Sequence, residues 1–388
     1  MKAFRFLLAF VFLGSGAATA WADSPVFSGG GYHFLAIKSG TGEVVGLGDG
    51  TYGQLGGDGG LVGAVGGLSD VVQVAAGGYS SLALKEDGTV WFLGETTLQH
   101  TTPHGTPNPV STPEQVAGLS GIDAITAGHR HYLALDHDGG QLDAWGHNGS
   151  GQVGNDNLRD VDSPVVVLSD VSSMSAGERF SLAVKTDGTV WAWGSNSHGQ
   201  LGLGDAVDRL TPAAIDGIST AVAVAAGGRH SLILLGDGSV LATGYNGFGQ
   251  LGSEATDSAT APATVGGLSD ITAIATGFYH SAAMDSAGQA FVWGRNFEGQ
   301  CGGGEESPTT YTSPHPLELE DPVVSLACGY HFTVFELANG TLWGTGSNTD
   351  GQLDGASVAE PFDSQQILTP RPLRVTLHEV DPSREECP

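Results

Sequence analysis

The sequence predicts an all-β fold, and three observations support this prediction. Glycine supplies 62 of the 388 residues but does not follow the Gly-X-Y period of collagen. Because glycine inside a helix costs about 1 kcal/mol relative to alanine, long helices are disfavoured. Short apolar runs alternate with turn sequences such as Asp-Gly. The whole pattern recurs with a period of about fifty residues, which is typical of a repeat protein.

Four short strands are predicted within each unit. Residues 222–226 have the small and branched side chains of a buried strand, and residues 231–235 form a second apolar run. Asp187-Gly188 is a strong hairpin signal that leads into a third strand at residues 189–193. A weaker apolar stretch that follows a proline predicts a fourth, edge strand. Such a unit is typical of one propeller blade, whereas the alternative, a β-solenoid, normally has shorter coils.

One recurrent position marks seven units and so predicts a seven-bladed β-propeller. It is held in turn by His33, Ser80, His131, Phe180, His230, His280 and His331, at spacings of 47, 51, 49, 50, 50 and 51 residues. Because serine and phenylalanine replace histidine, we interpret the position as structural, with the imidazole bonded to neighbouring backbone, and not as a metal site. Whether the last strand pairs within its own blade or with the first blade is left open.

Gly-Gln-Leu-Gly, or a near copy, follows in every unit except the second. We interpret these copies as turns in which glycine supplies the backbone angles, leucine is buried and glutamine bonds the backbone. They are not phosphate-binding loops, because Lys-Ser/Thr does not follow them. Turns at residues 136–140 and 348–351 lack the full ligand series of a calcium loop and are interpreted as hairpins.

The domain prediction has three parts. Residues 1–22 have a basic start, a short apolar stretch and small-x-small cleavage sites, which predicts a secretory signal peptide. Residues 23–377 contain the seven units and residues 378–388 form a C-terminal tail. We therefore expect an exported protein without a membrane span, located in the periplasm or outside the cell.

The charge and the cysteines exclude several classes of protein. Lysine and arginine number 14 against 42 aspartates and glutamates, and the net charge of −28 argues against nucleic-acid binding. The three cysteines, Cys301, Cys328 and Cys387, allow at most one internal disulfide, and the sequence does not choose the pair. They are too few and too widely spaced for a zinc site. No metal or cofactor is expected.

The candidate site is the position just before the recurrent one. Its occupants are all tyrosine or arginine, types enriched at binding hot spots: Tyr32, Tyr79, Arg130, Arg179, Arg229, Tyr279 and Tyr330. Equivalent turns of a propeller lie on one face, so we expect these side chains to circle the central channel, with the three arginines forming a cationic arc. The preceding position adds His129, Glu178 and Phe278. The competing interpretation is that these groups pack on neighbours or pair with nearby aspartates.

The repeat resembles a known family. Ala-Gly-x-x-His-Ser-Leu, Asp-Gly-Thr-Val, Trp-Gly-x-Asn and Gly-Gln-Leu-Gly together resemble the regulator of chromosome condensation repeat, and the resemblance covers almost all of residues 23–377. It implies a seven-bladed propeller that acts as a binding platform, as in a chromatin-bound exchange factor, a plant ultraviolet photoreceptor and a secreted bacterial beta-lactamase inhibitory protein. The secreted inhibitor is the nearest analogue by compartment.

The functional prediction is a secreted module that binds a protein partner through the Tyr/Arg ring, with inhibition as one form of that function. An enzyme is not expected, because a Gly-x-Ser-x-Gly elbow and a distinct set of acid–base residues are both missing from the sequence. The alternatives are a cell-envelope enzyme with a site at the channel mouth and a surface-structural or carbohydrate-binding protein. The loops at residues 95–113 and 305–316 are secondary candidate sites.

Overall fold

The computed structural model describes residues 26–38, 40–56, 62–95, 109–136, 139–255, 257–304, 309–354 and 366–376. In these ranges the chain forms seven four-stranded antiparallel sheets, which confirms the all-β, seven-bladed prediction. The predicted signal peptide, the C-terminal tail with Cys387, most of the loop at residues 95–113 and residues 305–308 lie outside the described residues.

Each blade consists of four strands that are consecutive in the chain. Blades 1 to 4 comprise β1 (Phe27–Gly29), β2 (His33–Ile37), β3 (Val44–Gly48), β4 (Val62–Ala64), β5 (Val71–Ala76), β6 (Ser80–Lys85), β7 (Val90–Gly94), β8 (Val110–Gln115), β9 (Ala124–Ala127), β10 (His131–Asp136), β11 (Gln141–Gly146), β12 (Val161–Leu168), β13 (Val171–Ala176), β14 (Phe180–Lys185), β15 (Val190–Gly194) and β16 (Arg209–Ala214). Blades 5 to 7 comprise β17 (Ala221–Ala226), β18 (His230–Leu235), β19 (Val240–Gly244), β20 (Ala259–Thr264), β21 (Ile271–Thr276), β22 (His280–Asp285), β23 (Ala290–Arg295), β24 (Thr310–Pro316), β25 (Val323–Cys328), β26 (Phe332–Leu337), β27 (Thr341–Ser347) and β28 (Gln366–Thr376).

The first strand of each blade lines the central channel, and the fourth is the outer edge. The predicted third strand at residues 189–193 is observed one residue later, as β15. Its turn is longer than the two residues predicted, since β14 ends at Lys185 and β15 begins at Val190. Within the turn, Asp187 Oδ1 accepts bonds from Thr189 N and Oγ1 at 3.0 and 2.6 Å. The edge strand β16 contains Pro212, in agreement with the tolerance of edge strands for proline.

The core is divided into clusters that lie between neighbouring blades. One cluster joins Leu133 and Leu142 of blade 3 to Val171, Met174 and Trp193 of blade 4. At the seam between the last and first blades, an equivalent cluster contains the buried rings of Phe34 and Phe332. Each blade therefore buries its faces against its neighbours, as expected for a repeat array.

A closed ring of backbone hydrogen bonds joins all seven blades at one end of the channel. In each blade the amide that follows a glycine donates to a carbonyl of the next blade, over 2.9–3.4 Å: Gly31 to Gly77, Gly78 to Gly128, His129 to Gly177, Glu178 to Gly227, Gly228 to Gly277, Phe278 to Tyr330 and Tyr330 to Gly30. The strands β1 and β28 pair with β2 and β27, so each chain end stays within its own blade. This settles how the ring closes, which the sequence left open.

Glycine is needed at this ring because the blades approach so closely. A Cβ placed on any of the seven glycines would lie 2.4–2.8 Å from a carbonyl oxygen of the next blade: Gly30, Gly77, Gly128, Gly177, Gly227, Gly277 and Gly329. Carbon and oxygen atoms that are not bonded do not approach to such distances. The repeated glycine of the sequence is therefore a packing requirement of the propeller.

Candidate functional site

The candidate position lies in the turn between the first and second strands of each blade, at the end of the channel closed by the backbone ring. Its carbonyl accepts a hydrogen bond of 2.8–3.0 Å from the residue that follows the glycine near the end of the third strand. The seven acceptors are Tyr32, Tyr79, Arg130, Arg179, Arg229, Tyr279 and His331. Because the same bond recurs in every blade, these residues are structurally equivalent and surround one mouth of the channel.

The alignment of the seventh unit predicted from sequence is wrong by one residue. Strand β26 begins at Phe332, which is buried and pairs with Gly346 as His280 pairs with Gly294. The recurrent position is therefore held by Phe332, and His331 precedes it. The sequence alignment was misled because Tyr330-His331 directly follows Gly329, whereas in blade 6 the similar pair Tyr279-His280 stands one residue further from Gly277. Tyr330 lies at the mouth but belongs to the preceding position.

The recurrent histidines join neighbouring blades and are buried completely. Their Nε2 atoms lie 2.9–3.0 Å from a hydroxyl of the next blade in the pairs His33–Ser81, His131–Ser181, His230–Ser281 and His280–Thr333. Each hydroxyl donates its own proton to a glutamine carbonyl, as Ser281 does to Gln250 at 2.8 Å. The imidazole Nε2 must therefore be the donor. These contacts support a structural role. Beside the hydroxyl, a backbone hydrogen bond to the next blade is present at His131, His230 and His280, in line with the predicted contact to neighbouring backbone.

Burial keeps these imidazoles neutral. It lowers the pKa of His33 to about 4 and the pKa of His131, His230 and His280 to about 3. The Gly-Gln-Leu-Gly turns behave as predicted, because the glutamine Oε1 accepts from a backbone amide, as Gln200 does from His198 at 2.9 Å. Both features stabilise the propeller. The candidate binding residues at the mouth are therefore other side chains.

The position before the candidate ring lies closer to the channel axis. It is a glycine in three blades and a larger residue in the other four. His129, Glu178, Phe278 and Tyr330 border a cavity of about 240 Å³ that the first strands enclose. The Tyr330 hydroxyl and His129 Nδ1 share a hydrogen bond between blades 7 and 3, with ring centroids 5.8 Å apart. Burial, with Arg130 and Arg179 nearby, lowers the pKa of His129 to about 4, and burial raises the pKa of Tyr330. This bond spans the mouth.

Two tyrosines of the candidate ring pack on this bonded pair. Tyr32 lies 5.6 Å from Tyr79 and 6.0 Å from Tyr330, and Tyr79 lies 5.3 Å from His129. Tyr279 contacts Phe278 at 4.6 Å between ring centroids. The structure therefore brings Tyr32, Tyr79 and Tyr330 together, whereas Tyr279 packs on other aromatic rings.

The predicted cationic arc is weaker than the sequence suggested, because neighbouring carboxylates offset it. One nitrogen of Arg130 lies 2.9 and 3.2 Å from the two carboxylate oxygens of Glu95, which is 8% exposed. Arg179 and Arg229 lie 3.6 and 3.9 Å from Glu178. Burial raises the pKa of Glu178, and the two arginines oppose that shift. The acidic partners are glutamates, where the sequence had suggested aspartates.

Sequence reasoning missed the residues that precede the Gly-Gln-Leu-Gly turns, in the loops between the third and fourth strands, which border the same mouth. The residue immediately before Gly-Gln-Leu-Gly is Tyr52, His198, Phe248 or Glu298 in four blades. Tyr52 contacts Tyr79 at 4.9 Å, and Phe248 contacts Tyr279 at 5.2 Å. Their regular place before the glycine turn was the signal that could have identified them.

The described residues offer little support for a metal or redox centre. Among them, groups of three or more His, Cys, Asp or Glu side chains able to hold a metal ion were not found. Cys301 and Cys328 are free thiols, and burial raises the pKa of both, that of Cys328 to about 12. Asp138 of the first candidate calcium turn and Cys387 lie outside the described ranges. Helices long and apolar enough to cross a membrane are also not found in the part of the chain that the structure describes.

Comparison with known proteins agrees with this architecture. Residues 22–335 match the RCC1-like domain, and residues 167–384 match it a second time. The chain belongs to the RCC1-like family. The ultraviolet-B receptor UVR8 of Arabidopsis thaliana is 35% identical over 203 residues, which cover 49% of this chain and 45% of UVR8. The probable E3 ubiquitin-protein ligase HERC6 of Homo sapiens is 31% identical over 146 residues, covering 35% of this chain and 14% of HERC6. The RCC1-like chain thus spans less than half the length of these curated relatives.

Solved structures show the same fold. Yeast RCC1 (Prp20), in a crystal structure with Kap60, has a TM-score of 0.74 at 20% identity and covers 97% of this RCC1-like chain and 91% of its own. Human WBSCR16 has a TM-score of 0.69 at 24% identity, with coverage of 78% and 83%. Prp20p of Saccharomyces cerevisiae, described with its binding to Gsp1p and histones, has a TM-score of 0.69 at 24% identity, with coverage of 80% and 81%.

Proposed function

We propose that this RCC1-like protein is an exported interaction module that binds a protein partner at the channel mouth. RCC1-like propellers serve as protein-interaction scaffolds in homologues, including Prp20p with Gsp1p and histones. Export is proposed from the signal-peptide sequence at residues 1–22. An inhibitory role follows if the partner is an enzyme whose own site is covered by this surface.

The observation that carries the proposal is the composition of a rigid rim. Seven equivalent turns, anchored by the same backbone bond, present tyrosine, arginine and histidine around one opening. Tyrosine and arginine are enriched at binding hot spots, because they offer large contact areas and directional hydrogen bonds. A rim already held in place by the fold loses little conformational entropy when a partner binds.

The test is capture of a partner from the native culture medium with the full-length protein as bait. The wild type should retain a partner that Arg179→Ala/Arg229→Ala loses, because these side chains are exposed and face the mouth. Lys38→Ala/Lys185→Ala is the matched control, since it removes two charges from the opposite rim, where β2 and β14 end. Equal capture by wild type and arginine variant, or no captured partner at all, would overturn the proposal.

A further inference from the structure

The mouth divides into two halves of different character. From blade 7 through blade 3 the side chains bind one another: Arg130 with Glu95, Tyr330 with His129, and Tyr32 with Tyr79. From blade 4 through blade 6 the corresponding groups are more open to solvent. The side chains of Arg179 and Arg229 are 58% and 41% exposed. The half from blade 4 through blade 6 therefore offers more exposed side-chain area for contact with a partner.

The open half combines positive charge with exposed apolar surface. Two guanidinium groups, those of Arg179 and Arg229, share one carboxylate, so a net charge of about +1 remains there. Phe297 is 45% exposed. Its loop is held firmly, because Gln300 Oε1 accepts from Glu298 N at 3.0 Å and Asn296 Oδ1 from Cys301 N at 2.8 Å. An aromatic ring exposed on a rigid loop is a preorganised anchor for a partner.

Contacts between side chains connect these two features. Arg229 Nη1 lies 3.2 Å from His198 Nε2, whose ring lies 5.1 Å from Tyr245. Tyr245 lies 6.1 Å from Phe248, which lies 5.7 Å from Phe297. We call Arg179, Arg229, Tyr245, Phe248 and Phe297 the Arg–aromatic patch. It is one continuous surface with a cationic end and an aromatic end.

Arg295 lies next to Phe297, but its charge does not make the aromatic end of the patch cationic. Arg295 stacks over Phe297 at 4.8 Å, and its charge is offset by Glu298 at 2.6 Å. The same guanidinium lies 3.0 Å from His331 Nδ1. Arg295 therefore supports the aromatic end and adds little free charge to it. The net charge of the whole protein is −28, so the cationic end is an exception on an acidic surface.

We infer that the Arg–aromatic patch binds a segment of the partner in which a carboxylate lies a few residues from a bulky apolar side chain. The inference rests on the proposed function and identifies its partner by chemistry. Arginine pairs with carboxylates through directional, charge-assisted hydrogen bonds, and Phe297 with Phe248 supplies an apolar contact for the second anchor. The acidic remainder of the surface disfavours binding of such a segment elsewhere on the protein.

A random-peptide library displayed on phage provides the probe. Peptides selected on the wild-type protein should contain Asp or Glu close to Phe, Leu, Ile or Trp, and their binding should weaken as salt is raised. Both Arg179→Ala/Arg229→Ala and Phe297→Ala should reduce binding by about tenfold or more. Lys38→Ala/Lys185→Ala should leave it unchanged.

Two results would overturn the inference. One is selection of peptides that lack acidic residues, or of no peptides at all. The other is unchanged binding by Phe297→Ala, whose folding is checked by its thermal transition. The two proposals can fail separately. A partner captured through the mouth whose binding is indifferent to Phe297→Ala overturns this inference alone, whereas failure to capture any partner overturns the proposed function.

Discussion

The amide of Tyr330 donates a hydrogen bond to the carbonyl oxygen of Gly30, 3.1 Å away, and so joins the last blade to the first. The bond belongs to a ring of seven, and it closes that ring without a strand crossing between blades 7 and 1. Phe34 and Phe332 bury apolar surface at the same seam. Closure therefore depends on the close approach of main chains at the mouth, where the partner is proposed to bind.

A side chain added to any of the seven glycines in the backbone ring should destabilise the fold. In Gly128→Ala the new Cβ would lie 2.4 Å from Gly177 O, so two blades would have to move apart. We expect a loss of about 1–3 kcal/mol in the free energy of unfolding, measured by urea denaturation. Gly63→Ala is the control, because its Cβ would meet no atom within 4 Å. Equal stability of the two variants would contradict the packing argument.

The histidine between blades 5 and 6 should be replaced better by phenylalanine than by alanine. His230→Ala removes both the bond to Ser281 and the volume of a buried ring, and we expect a loss of about 2–4 kcal/mol. The chain itself has Phe180 at the equivalent position, where it is fully buried. His230→Phe should therefore lose markedly less stability in thermal unfolding. Equal losses by both variants would show that the hydrogen bond dominates over volume.

Stability should fall as the solution becomes acidic. In the folded protein the pKa of His131, His230 and His280 is about 3, against an ordinary value of 6.5. Between these values the unfolded chain binds more protons than the folded chain, so lowering the pH favours unfolding. Each histidine contributes a slope of at most about 1.4 kcal/mol per pH unit.

The measurement is the free energy of unfolding in urea between about pH 7 and about pH 5, above the range in which most carboxylates titrate. The free energy of unfolding should change less steeply with pH in His230→Phe than in wild type, and the difference should equal the contribution of one histidine. A slope that does not change in this variant would show that other groups control the acid response.

Two arginines of the candidate ring should differ in their effect on folding. Arg130→Ala removes the ion pair of Glu95, which is nearly buried, and we expect a loss of about 1–3 kcal/mol after allowance for the 30% exposure of Arg130. Arg179→Ala changes a side chain that is 58% exposed, and its melting temperature should stay close to wild type. Differential scanning calorimetry of both variants measures the difference in melting temperature. Similar melting temperatures would mean that the Arg130–Glu95 pair contributes little.

Much of the fold could be predicted from local patterns. The apolar runs gave the strands to within a few residues, as with β15, and the fifty-residue period gave seven blades. Tyr32, Tyr79, Arg130, Arg179, Arg229 and Tyr279 were correctly placed at equivalent turns. Blade 7 was misaligned because the letters Gly-Tyr-His occur there one residue early. The register is determined by strand pairing, here Phe332 with Gly346, and not by the similarity of letters.

The sequence by itself determined the strands, the turns and the number of blades, because these depend on residues close together in the chain. Only the tertiary structure decided which side chains meet across blades. His230 and Ser281 are 51 residues apart, Arg130 and Glu95 are 35 apart, and His129 and Tyr330 are 201 apart. Such pairs depend on how the ring curves and how closely the glycines let its blades approach, and a pattern within one unit does not contain that geometry.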